Sequence, residues 1–186
     1  MYIRKYKNSD REQVRNICQL TATDPELSAD KDLIAALYTE YYTDYEPDNV
    51  FILAREGDDL AVGYILCAEN YKTYIKNFKK YQLQRVAKLS RKHAWFRRLE
   101  FIQERIDGRK YPAHLHIDLL PEAQRQGWGT RLVDALVAQL KEKGVKGIHL
   151  GVGGTNEMGI NFYKKYGFTV VHDYGKAGKI FGLEIK

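Results

Sequence analysis

The sequence predicts an α/β (α+β) protein of about seven strands and several helices. Apolar residues alternate with polar ones in seven short segments, as in half-buried strands. In the longer segments between them, apolar residues recur three and four positions apart, as in amphipathic helices. The length of 186 residues is ordinary for one domain with one core. Residues 1–186 are therefore expected to form a single domain.

The N-terminal part is predicted to contain a strand, two helices and a hairpin. Asp10 is a candidate N-cap for the first helix, and Pro47 ends the second. Gly57-Asp58-Asp59 has the composition of a turn between two strands. The predicted elements are a strand at residues 1–6, a helix that ends before Asp24-Pro25, a helix from Asp32 to about Tyr45, and hairpin strands at 50–54 and 60–67.

The C-terminal part is predicted to begin with an inserted helical pair and to continue with alternating strands and helices. The insert, residues 71–110, has apolar residues at helical spacing and separates the third strand from the fourth. Gly144 is placed as a C-terminal cap and Asn156 as an N-terminal cap. The elements after the insert are a strand at 111–120, a helix at 127–143, a strand at 148–152, a helix from Asn156 to Tyr166, and strands near 168–172 and 179–185.

The net charge of +6 comes from one block of the chain. Residues 71–99 contain ten Lys or Arg and no Asp or Glu, whereas residues 21–48 contain eight acids and one lysine. Two oppositely charged surfaces are therefore expected. The chain is not of the disordered class, because 44% of its residues are hydrophobic.

Several further classes of protein are not expected. No apolar run approaches the ~20 residues that a membrane span requires. Residues 1–6 lack the apolar core of a secretory signal, so a cytoplasmic location is expected. Cys18 and Cys67 have neither the spacing of a disulfide framework nor that of a metal site. Both are interpreted as buried small hydrophobes, and no metal is expected.

The turn Gln124-Arg125-Gln126-Gly127-Trp128-Gly129 lies between a predicted strand and a predicted helix. Backbone N–H groups converge at such a point and the helix dipole adds about half a positive charge, so a diphosphate fits there. Gly127 and Gly129 would let the backbone approach phosphate oxygens, with Arg125 and Arg131 at the rim. The alternative is a tight connection that requires glycine only for its dihedral angles.

A second motif follows this turn. The first motif is Gln124-x-x-Gly127-x-Gly129, preceded by Leu119-Leu120-Pro121, and the second is Asn156-x-x-Gly159-x-x-x-Tyr163-x-x-x-Gly167-Phe168. Together they resemble the pyrophosphate signature and the C-terminal motif of the GNAT superfamily of acyl-CoA N-acyltransferases, with Gly159 in place of the usual alanine. The order of elements also matches outside the insert. The insert and the strand after it look like a bacterial subgroup related to the acetyltransferase-like domain attached to O-GlcNAcases.

The resemblance implies a fold, a co-substrate and a set of binding residues. The GNAT fold is a mixed central sheet of about seven strands flanked by helices. In it the strand that ends at Leu119 splays from the strand of Leu150. The Leu119 N–H then points at the thioester oxygen, an oxyanion contact worth about 3 kcal/mol in other acyl transfers. The residues implied to bind acetyl-CoA are Leu119, Leu120, Gln124, Arg125, Gln126, Gly127, Trp128, Gly129, Thr130, Asn156 and Tyr163.

Tyr163 matches the superfamily tyrosine that protonates the departing CoA thiolate. A phenol with a pKa of about 10 is a reasonable proton donor to a thiolate whose pKa is about 8.5. The alternative is a core aromatic residue next to Phe162 and Tyr166.

His114, His116 and Asp118 alternate, so a regular strand puts all three on one face. An acceptor ammonium must lose a proton before its nitrogen can attack. Histidine, with a pKa of about 6.5, is suited to take that proton directly or through water, with an acid nearby to orient it. His116 is preferred over His114 for this role. The alternatives are a solvated strand face and a metal site that lacks clear further ligands.

Tyr41, Tyr42 and Tyr45 lie in the acidic stretch, in the segment that covers the acceptor in GNAT proteins. Carboxylates and aromatic rings together attract cations, so a small amine or a polyamine is favoured as the acceptor. An ordinary solvated helix face is the alternative.

The basic insert has three interpretations: it could bind nucleic acid, guide the anionic CoA, or pair with an acidic neighbour. No base-reading motif is visible, so nucleic acid is not an expected partner. Trp95, Phe96 and Tyr111 are expected to offer apolar surface for a homodimer.

The sequence thus predicts an acetyl-CoA-dependent N-acetyltransferase that acts on a primary amine of a small molecule or protein by direct attack. Neither cysteine has the setting of a covalent nucleophile. The alternative is a catalytically weak or inactive module for acyl-CoA binding, sensing or protein interaction, because the cofactor motifs are intact whereas the base is only inferred. No membrane partner is expected.

Overall fold

The centre of the protein is a mixed sheet of seven strands. The computed structural model describes residues 1–103 and 106–186. The strands are β1 (Tyr2–Lys5), β2 (Phe51–Ala54), β3 (Ala61–Ala68), β4 (Ala113–Leu119), β5 (Gly147–Val152), β6 (Thr169–Asp173) and β7 (Lys179–Glu184). Their order in the sheet is β1-β2-β3-β4-β5-β7-β6, and all neighbours are antiparallel except β4 and β5. The predicted α/β class with a mixed seven-stranded sheet is confirmed.

Helices cover both faces of this sheet. They are α1 (Arg11–Thr21), α2 (Pro25–Ser28), α3 (Lys31–Tyr38), α4 (Glu40–Tyr45), α5 (Tyr71–Asn77), α6 (Leu83–Leu89), α7 (Arg91–Gln103), α8 (Trp128–Glu142) and α9 (Glu157–Tyr166). One apolar cluster joins one face to α1 through α7, and a second joins the opposite face to α8 and α9. β3 is buried along its whole length, as expected for a strand covered on both faces.

The helical segment before β2 is more divided than the sequence predicts. The predicted helix from Asp32 to Tyr45 is interrupted at Thr39, whose φ of −122° lies outside the α region. Asp24 caps an additional turn of helix that begins at Pro25. Asp10 precedes α1 as predicted, but its carboxylate makes no capping hydrogen bond to that helix.

The described residues of the insert form three helices where the sequence predicts a pair. A π-helical turn at Phe78–Gln82 joins α5 to α6, and Ser90, in an extended conformation, separates α6 from α7. The insert follows β3 and precedes β4, as predicted. The predicted helical pattern also includes residues 104–105, which lie outside the described residues.

The acidic stretch and the basic insert lie against each other. Arg85 Nη1 on α6 lies 2.6 Å from Glu40 Oε2 on α4, and the Glu40 side chain is fully buried. Lys92 Nζ on α7 lies 2.5 Å from Glu26 Oε2 on α2. Of the three interpretations of the insert, these contacts support pairing with an acidic neighbour. The two charged segments therefore partly neutralise each other across an internal contact.

The exposure of three aromatic residues and two cysteines was predicted from the sequence. Trp95 and Phe96 are exposed as predicted, but Tyr111 is only 5% exposed, so its predicted contribution to an apolar surface is wrong. The reason is that its ring packs against the sheet, where a Cβ on Gly182 would come within 2.7 Å of it. Cys18 and Cys67 are free and buried, as predicted. No helix among the described residues has the length and apolar character to cross a bilayer.

Candidate active site

The turn predicted to bind a diphosphate forms the N-terminus of α8. Gly127 precedes the helix with a φ of +81°, and Arg125 also has a positive φ of +58°. A φ in this range favours glycine, which accounts for Gly127. No side chain caps the first turn of α8, so its N–H groups can bind an external anion. The Arg131 guanidinium lies 4.5 Å from the centre of the Trp128 ring and adds positive charge beside the turn.

A gap opens between β4 and β5 on the way to this turn. The two strands pair only at Ala113 with Ile148 and at His114 with His149. Beyond these pairs, β4 remains paired with β3 and β5 with β7. The splayed pair implied by the family motifs is therefore present, and we call this opening the β4–β5 gap.

The backbone of Leu119 lines the β4–β5 gap. N–H groups alternate between the two edges of a strand, and the Leu120 N–H bonds to the Val62 carbonyl on β3. The Leu119 N–H therefore faces the gap. Gln124 Nε2 donates a 2.8 Å hydrogen bond to the Leu119 carbonyl, so this glutamine holds the turn against the end of β4. The motif glutamine thus positions the backbone of the turn, and its predicted contact with the cofactor stays a prediction.

Gly129 and Asn156 each have a packing or capping role in the structure. A Cβ on Gly129 would lie 3.2 Å from the Phe162 ring, so the glycine allows α8 and α9 to approach closely. Asn156 Oδ1 accepts a 2.9 Å hydrogen bond from the Gly159 N–H and caps α9, as predicted. Thr130 is exposed near the start of α8.

Tyr163 lies on α9 in a mostly apolar environment. It is 8% exposed and its ring contacts those of Phe168 and Phe181. Burial raises the pKa of the phenol above its ordinary value, and the charge of Asp118 adds to this. The phenol therefore keeps its proton at neutral pH, as a proton donor must.

His116 and Asp118 form an ion pair on β4. His116 Nε2 lies 3.0 Å from Asp118 Oδ2, the same oxygen that accepts a 2.5 Å hydrogen bond from Tyr64. The Tyr38 ring stacks on the imidazole with centroids 5.6 Å apart. Burial alone would lower the pKa of His116, but the contacts with Asp118 and Cys18 outweigh burial and raise it to about 10. His116 is therefore protonated at neutral pH.

His114 has the opposite electrostatic state. Its Nδ1 lies 2.7 Å from the Tyr42 hydroxyl, and its ring lies 5.1 Å from that of His149. Burial lowers the pKa of His114 well below its ordinary value, and the nearby His149 and His116 lower it further. The three predicted residues of β4 are thus brought together, with one neutral imidazole beside one charged pair.

Cys18 adds a third polar atom to the His116 and Asp118 pair. Its sulfur and the ligand atoms of His116 and Asp118 lie within 4.8 Å of one another. A metal ion could be held by such a sulfur, nitrogen and oxygen set. The expectation that the protein uses no metal therefore stays a prediction.

A cavity of about 450 Å³ adjoins the two histidines. We call it the acceptor cavity. It is lined by His114 and His116 of β4, by the end of β5 from Gly151 onwards, and by Tyr38 and Tyr42 from α3 and α4. Because both strands contribute, the cavity opens onto the β4–β5 gap.

The three tyrosines predicted at the acceptor lie in two different cavities. Tyr42 lines the acceptor cavity, whereas Tyr41 and Tyr45 line a second cavity of about 780 Å³. Tyr41 donates a 3.1 Å hydrogen bond to Glu46 there. The structure therefore brings Tyr42 to the histidines and places Tyr41 and Tyr45 elsewhere.

The chain also matches a known protein family. A family model described as the acetyltransferase (GNAT) family matches residues 12–168. The chain belongs to this family. The resemblance carried by the two motifs is thereby confirmed, and the splayed strands and the uncapped helix belong to a GNAT fold.

Solved and curated proteins similar to this GNAT protein include acetyltransferases. The structure named SsHAT has a TM-score of 0.85 and 26% identity, covering 100% of this chain and 98% of its own. YncA from Salmonella typhimurium, solved with its cofactor acetyl-CoA, has a TM-score of 0.56 and 16% identity, covering 100% of this chain and 94% of its own. Mycothiol acetyltransferase from Propionibacterium freudenreichii subsp. shermanii is 36% identical over 72 residues, which is 38% of this chain and 23% of that protein.

Sequence reasoning missed several residues at the site of this GNAT protein. Tyr64 is opposite Asp118 in the register of β3 and β4, and Cys18 reaches the same pair from α1. Arg97 and Glu100 of the insert line the acceptor cavity. A sequence motif could not indicate these contacts, because they depend on strand register and on how the insert folds back over the sheet.

Proposed function

We propose that this GNAT protein is an acetyl-CoA-dependent N-acetyltransferase that transfers an acetyl group to a primary amine of a small molecule or protein by direct attack. One observation carries the proposal: the β4–β5 gap leads to the uncapped N-terminus of α8 and also opens into the acceptor cavity. A thioester in the gap and an amine in the cavity would meet between the two strands.

The gap has the chemistry that a CoA thioester requires. The free N–H groups of α8 and the guanidinium groups of Arg125 and Arg131 suit a diphosphate. The separated edges of β4 and β5 offer backbone donors and acceptors to the amides of the pantetheine arm. The Leu119 N–H would stabilise the oxyanion that develops on the acetyl group. The acetyl-CoA in YncA supports this assignment for the fold.

The residues of the site account for the bonds and protons of the transfer. One proton of the ammonium passes to neutral His116, directly or through water. The amine nitrogen then bonds to the acetyl carbon, and the bond from that carbon to sulfur breaks. Tyr163 donates its proton to the departing thiolate, and the second proton of the nitrogen returns to Tyr163 through water. His116 finally releases its proton to solvent.

The protonation of His116 determines when this base is available. Its pKa of about 10 leaves a small neutral fraction at pH 7. His114 is neutral, but its low pKa makes it a weak base, and Tyr42 occupies its Nδ1. Turnover should therefore rise as the pH approaches 10. Asp118 orients the imidazole and also delays its deprotonation.

The charged His116 also favours a second candidate function. A protein with an intact gap and a base held in its charged form would bind acyl-CoA and turn over slowly. Such a protein would be a catalytically weak or inactive sensing or protein-interaction module. The two candidates predict the same binding and different turnover.

Two measurements distinguish the enzyme from the binding module: thermal unfolding with and without acetyl-CoA, and then thiol release in the presence of a panel of amines. Acetyl-CoA at about 100 times its Kd adds about 2.7 kcal/mol of stability, which raises Tm by roughly 5–10 °C in a chain of this size. Stabilisation with thiol release supports the enzyme. Stabilisation without release from any amine, between pH 7 and 10, supports the binding module.

Gly127→Asp should abolish the stabilisation by acetyl-CoA. The new carboxylate would face the diphosphate at the start of α8, and like charges repel. Gly144→Asp is the matched control, because Gly144 also has a positive φ, of +72°, and lies beyond the other end of α8. Both variants place a side chain at a residue of positive φ, but only the first puts a carboxylate at the start of α8, so only the first should lose the shift in Tm. Normal binding by Gly127→Asp would show that the diphosphate lies elsewhere.

A further inference from the structure

Three side chains of different chemistry meet between α1 and β4. The sulfur of Cys18, a ring nitrogen of His116 and a carboxylate oxygen of Asp118 all lie within 4.8 Å of one another. Cys18 is buried, and the side chains of His116 and Asp118 are 28% and 22% exposed. Sulfur, imidazole nitrogen and carboxylate oxygen are the atoms that bind Zn²⁺ in proteins. Because His116 also lines the acceptor cavity, an ion can reach the three side chains from solvent.

The contact between His116 and Asp118 has the geometry of two ligands of one ion. Nε2 of His116 lies 3.0 Å from Oδ2 of Asp118, yet it is shielded from solvent and has no aligned hydrogen-bond partner among residues 1–103 and 106–186. Ligands of one ion are also close together without pointing at each other, because each atom points at the ion.

The separation of the three side chains also suits zinc. Zinc–ligand bonds of about 2.0–2.3 Å in a tetrahedron place the ligand atoms about 3.3–3.8 Å apart. Atoms that now lie within 4.8 Å of one another need to close by about 1 Å to reach this separation. A thiolate and a carboxylate would supply two negative charges, which neutralise a divalent ion at a partly buried position.

Tyr64 fixes the carboxylate of this cluster. It lies opposite Asp118 on β3, its ring is fully buried, and its hydroxyl donates a 2.5 Å hydrogen bond to Asp118 Oδ2. Carboxylates that bind a metal ion are themselves held by hydrogen bonds of this kind, which orient them for the ion. The carboxylate is therefore oriented before any ion binds.

We propose that Cys18, His116 and Asp118 bind Zn²⁺ and that the bound ion inhibits acetyl transfer. Water from the acceptor cavity would complete the tetrahedron, as in zinc sites with three protein ligands. Binding releases the protons of the thiol and of the imidazole nitrogen that takes the ion. The inhibition rests on the proposed function, because a nitrogen that binds zinc has no lone pair for the proton of the ammonium group. The turn before α8 is not involved, so acetyl-CoA should still bind.

Binding of Co²⁺ to protein dialysed against EDTA tests the site without measuring activity. A bond between Co²⁺ and a thiolate gives a strong charge-transfer absorption band in the near ultraviolet. The wild-type protein should show this band, and Zn²⁺, which such sites bind more tightly than Co²⁺, should remove it. Cys18→Ser should lose the band. Cys67→Ser, which replaces the other buried free cysteine, is the matched control and should keep it.

Two further measurements address the remaining ligands. Tyr64→Phe should weaken zinc binding by about 10–100-fold in calorimetry, since it removes the hydrogen bond that holds Asp118. X-ray absorption at the zinc edge of the wild-type protein requires no variant, and should show one sulfur at about 2.3 Å and lighter ligand atoms at about 2.0–2.2 Å. This spectrum decides the question if Cys18→Ser does not fold.

The outcomes for the site and for the activity are distinct. Absence of the Co²⁺ band in the wild-type protein, an unchanged band in Cys18→Ser, or a zinc spectrum without sulfur would overturn the site. Where thiol release with an amine is measured, zinc should suppress it, EDTA should restore it, and Cys18→Ser should resist suppression. Turnover that persists at saturating zinc would overturn the inhibition. If the protein binds the ion through Cys18 but acetylates no amine, the proposed function fails and the metal site is supported.

Discussion

His116 carries a proton at neutral pH because the carboxylate of Asp118 lies 3.0 Å from its Nε2. The pKa of His116 in the folded chain, about 10, exceeds the value of about 6.5 expected when unfolded. The protonated pair therefore stabilises the fold fully below pH 6.5, and this contribution is lost as the pH rises through 10. The same pair that orients the proposed base thus links stability to alkaline pH.

Asp118→Asn should lower the pKa of His116 from about 10. Without the carboxylate, burial disfavours the charged imidazole and only the contact with Cys18 still opposes it. NMR titration of the histidine ring protons measures the change. Asp173→Asn, which removes a surface acid paired with Lys179, is the control and should leave His116 unchanged. A pKa of His116 near 10 in Asp118→Asn would contradict the ion pair.

Tyr163→Phe should leave acetyl-CoA binding intact and lower kcat by about 100-fold. The change removes the hydroxyl proton and keeps the ring that packs against Phe168, and loss of a general acid typically costs a factor of this size. Tyr166→Phe on the same helix is the matched control, because that hydroxyl bonds Asp134 at the surface. Equal kcat values for the two variants would remove Tyr163 from the mechanism.

Turnover should survive dialysis against EDTA. In the proposed reaction, a backbone N–H stabilises the oxyanion and a phenol protonates the thiolate, so no step requires a metal ion. Thiol release before and after dialysis measures this. Loss of activity that zinc restores, and that Cys18→Ser prevents zinc from restoring, would instead give a metal at Cys18, His116 and Asp118 a catalytic role.

At the scale of elements, the contact between α4 and α6 joins the insert to the rest of the fold. Arg85→Ala should lower Tm by about 2–12 °C. It removes the cation nearest to the buried Glu40, which costs about 1–3 kcal/mol, and each kcal/mol shifts Tm by about 2–4 °C in a chain of this size.

Lys88→Ala is the control for this change. Lys88 is an exposed residue on the same helix, and its replacement should move Tm by no more than about 2 °C. Thermal unfolding followed by circular dichroism measures both variants. Equal shifts in Tm for Arg85→Ala and Lys88→Ala would mean that the ion pair between Arg85 and Glu40 does not stabilise the packing of the insert.

Local patterns in the sequence predicted the strands and helices, but not how they meet. Alternation and turn residues gave the seven strands, and the caps at Gly144 and Asn156 were correct. The break at Thr39 was missed because apolar spacing continues through it. Within α4, Tyr42 faces His114 while Tyr41 faces the second cavity, and the sequence pattern could not show which cavity each ring would line.

At the scale of the whole molecule, the acidic segment and the basic segment of the chain contact each other in the folded protein. The sequence predicted two oppositely charged surfaces, and the structure brings them into contact. Residues 21–48 and 71–99 are distant in sequence, so only the folded chain reveals that they are partners. The cofactor motifs could be recognised from sequence because each is local. The acceptor cavity could not, because six separate segments of the chain line it.

The two residue pairs that join β4 to β5 have a mechanical consequence. They divide the sheet into a leaf of four strands and a leaf of three, joined near Ala113 and Ile148. A bound pantetheine arm would bridge the leaves as an eighth strand, supplying hydrogen bonds that the polypeptide itself leaves unmade. The bound substrate would then complete the sheet, and each product release would leave those hydrogen bonds unmade again.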